Sequence, residues 1–194
     1  MNQMFLVKPD FIVHYSRGEP FRSITSLSTD LREKTIADLT EKTAWGLNRF
    51  SNSEYLVRRL EVERSLRNDF IKRGGQPEIE HPIYFFLGRH SGFEAHPLNK
   101  RYEISLKDIP KALITFTYGD TMLSFFDDYR TLSGEKYQNS LCNKIFLMDE
   151  LGELLSHVEY PKADPLYIEA QLWMKPLSGI VKVPKTESQT IKSI

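Results

Sequence analysis

Cysteine is almost absent from this sequence, because Cys142 is the one cysteine among 194 residues. A single thiol excludes an intrachain disulfide and any metal site built mainly from cysteines. Cys142 lies in an apolar run, which predicts a small buried side chain. The shortage of cysteine is also typical of a reducing compartment, so we expect a cytoplasmic protein.

The sequence also lacks an excess of charge of one sign, and it has no long apolar runs. The 26 basic and 26 acidic residues give a net charge of zero, so the overall charge points neither to nucleic acid nor to a membrane surface. No segment approaches the roughly 20 apolar residues that a membrane-spanning helix needs. The first residues include Asp10 and lack the basic region and apolar core of a signal peptide. We therefore expect no membrane partner.

The short motifs of several enzyme classes are also missing. None of the patterns HExxH, CxxC, GxGxxG, GxxxxGK[ST] or GxSxG occurs in the sequence. His90 and His96 lie six residues apart, without a third ligand at the spacing of a zinc site. The sequence therefore predicts no metal ion, no phosphate-binding loop and no serine-hydrolase site.

Apolar spacing predicts helices in the front half of the chain. One helix is expected over residues 29–50, and a clearer one begins after Ser51, which forms a capping-box pattern with Glu54. Its apolar stripe runs to Phe70, and Gly74 is placed to end it. The remaining face, which we expect to be solvated, is rich in arginine: Arg58, Arg59, Arg64, Arg67 and Arg73.

Strand patterns dominate the rest of the chain. Alternating apolar residues predict strands over 10–16, 82–88, 102–105, 112–118, 166–173 and 178–183. A short helix is expected over 121–129, with Asp120 as its N-terminal cap, and a longer helix over 143–157.

This order of elements predicts an α+β fold. Helices are grouped towards the front and strands follow them, so we expect a mostly antiparallel, split sheet with a helical layer from the N-terminal half. One domain is expected over residues 1–184, with the helical segment 29–74 inside it. Residues 185–194 are expected to be a frayed polar tail.

Several predicted strands carry polar side chains. Glu169 and Gln171 share one face of the strand LYIEAQLW, and His14 shares a face of FIVHYS with Ser16. A half-buried carboxylate costs free energy unless it is paired or hydrogen-bonded. The ordinary explanation is that Glu169 and Gln171 face solvent, that His14 is a hydrogen-bonded strand residue, and that Tyr84 belongs to the core.

Three short segments offer a functional explanation. VHYS with His14, IYFF with Tyr84 and IEAQLWMKPLSGIVKV with Glu169 resemble the ADP-ribosyltransferase fold, in its histidine–tyrosine–glutamate branch. The resemblance extends to the order of the three segments and to their placement on a first, a middle and a late strand.

The resemblance implies an NAD-dependent enzyme that transfers ADP-ribose to a protein or nucleic-acid acceptor. In the family's terms, His14 would bind a ribose hydroxyl of NAD, and Tyr84 would stack on the nicotinamide. Glu169 would be the catalytic carboxylate that stabilises the positive charge on the ribose as nicotinamide leaves. We predict Ser16 and Gln171 as further NAD-binding residues.

Two other functions stay open. A non-catalytic interaction domain fits the balanced charge and the presence of aromatic residues such as Phe93 and Tyr102. A Mg²⁺-dependent nuclease would combine Asp164 with Glu169, but it has Gln171 where a lysine is expected. A metal requirement would separate this last function from the transferase.

Overall fold

In the part of the chain that the structure describes, seven strands pair in one antiparallel sheet. The computed structural model describes residues 8–42, 53–96, 98–129, 139–157 and 167–183. The strands are β1 (Phe11–Ser16), β2 (Ile83–Leu87), β3 (Lys100–Ser105), β4 (Ile114–Tyr118), β5 (Phe146–Leu147), β6 (Ile168–Leu172) and β7 (Val181–Lys182), in the spatial order β5-β4-β6-β2-β1-β3-β7. With the helices below, this sheet confirms the predicted α+β class.

Five α-helices with given bounds accompany the sheet: α1 (Thr29–Lys42), α2 (Ser53–Lys72), α3 (Ser91–Glu94), α4 (Thr121–Phe125) and α5 (Leu151–His157). Residues 127–129 are also helical, so the helix predicted over 121–129 is interrupted at Phe126, which is extended. None of the described helices is both long enough and apolar enough to cross a membrane. Helix α2 ends as predicted, because Gly74 takes the left-handed conformation with φ 92° and Gly75 donates to the carbonyl of Phe70. Ser51, residues 43–50 and the tail 185–194 lie outside the described residues.

Each face of the sheet contributes to a different apolar cluster. On one face, which we call the α5 face, Ile12, Phe85 and Ala170 join a core that includes Leu154 of α5. The opposite side, the α2 face, is covered in part by an apolar stripe of α2: Tyr55, Val62, Leu66 and Phe70, which cluster with Trp173. Each fully buried side chain of this size contributes roughly 1.5–3 kcal/mol. The stripe therefore fixes which side of α2 approaches the sheet.

The pairing between β1 and β2 is the shortest among the central strands of the sheet. Only two residue pairs are in register there, Ile12 with Leu87 and Val13 with Phe86, whereas β2 and β6 share four and β1 and β3 share six. Beyond Val13 the imidazole of His14 hydrogen-bonds to the carbonyl of Tyr84, which lies on β2. The predicted split therefore corresponds to a short junction between β4-β6-β2 on one side and β1-β3 on the other.

The helix predicted over 143–157 is wrong in its first half. Phe146 and Leu147 instead form β5, which pairs with Phe116 and Thr115 of β4. Asn143 has φ 58°, which interrupts helical geometry just before this strand. The α-helix begins only at Leu151. Cross-strand pairing has overridden the helical spacing of the apolar residues in this segment.

Candidate functional site

Glu169 lies on the inner strand β6, between β2 and β4. It pairs with Phe86 on one side and with Thr117 on the other, so its side chain points to the α2 face. The backbone N–H of Thr121 donates to Glu169 Oε2 at 2.9 Å, and the Thr121 hydroxyl donates to the same oxygen. Burial, together with the negative charge of Asp120, raises the pKa of Glu169 to about 7.

Asp120 caps helix α4, as predicted from the sequence. Its Oδ1 accepts hydrogen bonds from the backbone N–H groups of Met122 at 2.8 Å and Leu123 at 3.2 Å. Its other oxygen accepts from the hydroxyl of Tyr167 at 3.4 Å. The cap therefore brings a second carboxylate towards Glu169, and its negative charge favours the protonated form of Glu169.

Gln171 supports Glu169 from within the same strand. Its side chain is fully buried, so the solvent-face explanation is wrong for this residue. The amide Nε2 donates to the hydroxyls of Thr117 at 2.9 Å and Thr121 at 3.0 Å, and Oε1 accepts from the hydroxyl of Thr115 at 3.0 Å. A buried amide is tolerated when it is satisfied in this way. Thr115 and Thr117 thus orient the amide of Gln171, which in turn holds the Thr121 hydroxyl next to Glu169.

Tyr84 lies on the same face, on the neighbouring strand β2. It pairs with Gln171 across the strands, and its hydroxyl donates to Glu63 Oε1 at 3.1 Å. The Arg59 guanidinium lies 4.3 Å from the centre of its ring. Burial, reinforced by Glu63, raises the pKa of Tyr84 well above its usual value, so the phenol is protonated. One face of the ring that the resemblance assigns to nicotinamide is therefore occupied by Arg59.

Arg59 and Glu63 are parts of the site that the sequence interpretation missed. Arg59 was assigned to the solvated face of α2, and this is wrong: the side chains of Arg59 and Glu63 are 14% and 1% exposed. Arg59 Nε donates to Glu63 Oε1 at 3.1 Å, and His81 Nδ1 lies 2.8 Å from Glu63 Oε2. Spacing carries a partial signal: Arg59 lies four residues after Tyr55, Glu63 lies three before Leu66, and residues three and four apart share a helix face.

His14 and Ser16 lie on the other side of the sheet. His14 contacts the ring of Phe85 on the α5 face, with ring centres 5.4 Å apart. Its Nε2 accepts from the backbone N–H of Phe21 at 3.2 Å, so Nδ1 carries the hydrogen that is donated to the Tyr84 carbonyl at 2.9 Å. Burial lowers the pKa of His14. The imidazole is therefore neutral, with both ring nitrogens engaged by backbone groups.

Ser16 is the last residue of β1, and its side chain bonds to the turn that follows. Its hydroxyl donates to the carbonyl of Gly18 and accepts from the backbone N–H of the same residue, both at 3.2 Å. The structure thus brings Tyr84, Glu169 and Gln171 together on one face and does not bring His14 or Ser16 to it.

Aromatic rings adjoin Glu169, beginning with Phe86, its cross-strand partner on β2. This aromatic cluster consists of Tyr15, Phe86, His90, Phe93 and Tyr167. The rings of Phe86 and Tyr167 are 4.7 Å apart, edge to face, and Phe93 is 39% exposed. Planar apolar surface therefore adjoins the carboxylate. The run FFLGRHSGF contains three of these rings, but the sequence interpretation considered His90 only as a metal ligand.

No match to this chain appears in comparisons with protein-family models, with curated proteins or with solved structures. The described residues contain no group of three or more histidine, cysteine, aspartate or glutamate side chains arranged to hold a metal ion. Asp164, which the nuclease alternative requires, lies outside the described residues. The chemistry around Glu169 is thus what indicates a function.

Proposed function

We propose that the chain is an NAD-dependent ADP-ribosyltransferase-like enzyme that uses Glu169 as its catalytic carboxylate. The observation that carries the proposal is the position of Glu169: a carboxylate on an inner strand, held by Thr121 and bordered by the rings of Phe86 and Tyr167. A carboxylate in such a place costs stability, and a catalytic role accounts for its presence.

The reaction needs an anion beside a planar leaving group. The bond between the nicotinamide nitrogen and C1′ of the ribose breaks, and its electron pair leaves with nicotinamide. Ionised Glu169 stabilises the positive charge that develops on the ribose. An oxygen or nitrogen of a protein or nucleic-acid acceptor then bonds to C1′ and releases its proton. The aromatic cluster supplies flat apolar surface for the nicotinamide ring.

The residue set of this proposal differs from the one that the resemblance implies. Glu169 keeps its role, and Gln171 acts by orienting Thr121. Arg59 covers the ring of Tyr84, so in this proposal the nicotinamide stacks on Phe86 and Tyr167 instead. The proposal needs no contact from His14 or Ser16.

Nicotinamide release from NAD is the assay that tests the proposal. Glu169→Gln keeps an oxygen that can accept from Thr121 but removes the charge, so release should fall by about a hundredfold or more. Glu61→Gln, on the exposed side of α2, is the matched control and should retain the wild-type rate. Wild-type protein that releases no nicotinamide, or a Glu169→Gln variant as fast as wild type, would refute the proposal.

A non-catalytic interaction domain is the second candidate. It is favoured by two contacts: the ring nitrogens of His14 are engaged by backbone groups, and Arg59 covers the ring of Tyr84. In that case NAD should leave the melting temperature unchanged, and Glu169→Gln should leave partner binding unchanged. A rise in melting temperature on addition of NAD would exclude this candidate.

A further inference from the structure

Helix α2 places two buried charges beside the site. Arg59 and Glu63 lie one turn apart and pair through Arg59 Nε and Glu63 Oε1 at 3.1 Å. The Glu63 carboxylate also accepts from Tyr84 and contacts His81, so each of its oxygens has a hydrogen-bond partner. Replacing a buried ion pair by apolar residues often leaves stability unchanged or improves it. Its presence here therefore suggests a role other than stability.

The contacts of Arg59 lie on its own helix and on strand β2. The guanidinium covers the ring of Tyr84, and its NH1 nitrogen donates to the hydroxyl of Tyr55 at 3.3 Å. Tyr84 pairs with Gln171, two residues along β6 from Glu169, so Arg59 and Glu169 lie on the same side of the sheet. Arg59 is thus a cation that Glu63 holds in place between helix α2 and strand β2.

We propose that Arg59 is a positioning residue of the site, anchored by Glu63, which fixes the ring of Tyr84 and places a positive charge on the side of the sheet where Glu169 lies. This inference rests on the proposed function, in which Glu169 must carry a negative charge. The polar groups that face Glu169 come from three directions: Arg59 on α2, Asp120 and Thr121 at the start of α4, and Tyr84 on β2.

The charges acting on Glu169 have opposing effects. Asp120 raises the pKa of Glu169, whereas Arg59 and the hydrogen bonds from Thr121 lower it. Without Arg59, the proton should stay on Glu169 to a higher pH. The rate of nicotinamide release should then reach its maximum at a higher pH, although no group that touches the substrate has been changed.

Arg59→Gln is the first variant to measure, with Arg64→Gln on the exposed side of α2 as its control. Carbon-13 NMR of the side-chain carboxyl groups follows the ionisation of Glu169. We expect the Glu169 midpoint to rise by about one pH unit, and nicotinamide release at pH 7 to fall by about fivefold through kcat, in step with the ionised fraction of Glu169. Raising the pH to about 9 should restore the rate, because Glu169 is then ionised again. If Arg59 were only a structural residue, its loss would lower the rate at every pH.

A second variant protects the test against misfolding. Arg59→Met combined with Glu63→Met removes both members of the ion pair and keeps apolar volume, so neither is left as a lone buried charge. Tyr84 and His81 lose the Glu63 carboxylate in this variant. It should also raise the Glu169 midpoint. Arg59→Lys retains the charge and should keep the wild-type midpoint.

The two proposals fail in different ways. A Glu169 midpoint that stays unchanged in both Arg59→Gln and the double variant overturns the role of Arg59. Absence of nicotinamide release in the wild type overturns the proposed function, while the NMR midpoint still measures the effect of Arg59 on Glu169.

Discussion

Thr121 donates both its backbone N–H and its hydroxyl to one oxygen of Glu169, 48 residues further along the chain. These bonds join the start of helix α4 to strand β6 and favour the ionised carboxylate. Burial and the charge of Asp120 act in the opposite direction and are stronger, because the pKa of Glu169 rises to about 7. The site therefore contains a carboxylate whose charge changes within the physiological pH range.

Glu169→Gln should stabilise the fold at neutral and alkaline pH, by about 2 kcal/mol. The pKa of Glu169 is about 7 in the folded protein, whereas the ordinary pKa of this carboxyl group is 4.5. The folded state thus binds more protons between these values, and wild-type stability falls as the pH rises through them. Urea unfolding at pH 5 and pH 8 checks this. A difference between wild type and variant that is the same at both pH values would contradict it, and Glu61→Gln controls for the change of side chain.

Two substitutions at Asp120 should separate its cap from its charge. Asp120→Asn keeps an oxygen for the N–H groups of Met122 and Leu123 but removes the charge, so the pKa of Glu169 should fall. Asp120→Ala also lowers that pKa, and it loses the cap at a cost of about 1 kcal/mol. Thermal unfolding and carboxyl NMR titration measure the two effects. If both variants are equally stable, the cap contributes nothing.

Thr121→Val should destabilise the protein by about 1–3 kcal/mol. The substitution keeps the shape of the side chain but removes the hydroxyl that Glu169 and Gln171 share, and it should raise the pKa of Glu169 further. Thr35→Val, whose hydroxyl bonds only to the backbone of α1, serves as the control and should change stability by about 0.5 kcal/mol or less. Comparable losses in the two variants would show that the hydroxyl of Thr121 has no special partner.

His14→Gln should reduce stability most at pH 7.5 and less in acid. Burial lowers the pKa of His14, so the stability that its neutral ring contributes is present above pH 6.5 and is lost as the pH falls through the lower folded value. The gap between wild type and variant should therefore narrow between pH 7.5 and pH 5.5. Comparing the two proteins cancels the contribution of Glu169. A gap that widens in acid would show that the ring is charged in the folded state.

The same variant tests where NAD binds. The structure assigns His14 to the α5 face, so folded His14→Gln protein should keep the wild-type KM for NAD. The resemblance implies a rise in KM instead, because a bond to the ribose would be lost.

Local patterns in the sequence were sufficient to predict most strands and the face on which Glu169 lies. Strand alternation fixes that Glu169 and Gln171 share a side, and capping chemistry places Asp120 before α4. These features depend on neighbours in sequence, and the structure confirms them.

Relations between distant elements could not be predicted in this way. Strand alternation shows which neighbours in the same strand share a face with His14 or with Tyr84. Only the register between β1 and β2 shows that His14 and Tyr84 lie on opposite faces of the sheet. The burial of Arg59 and Glu63 likewise depends on which elements α2 packs against. Charged residues on a helix are mostly exposed, so spacing places the pair beside the apolar stripe but does not predict that a strand covers it.

The position of β6 has a consequence for synthesis on the ribosome. Strand β6 pairs with both β2 and β4, yet it follows them by some fifty residues or more in the chain. Strands β2 and β4 therefore emerge with their inner edges unpaired, and these edges are open to wrong partners until β6 arrives. Glu169 and Gln171, both carried on β6, join the site after Tyr84, Asp120 and Thr121 have been synthesised, so a shorter nascent chain lacks this carboxylate.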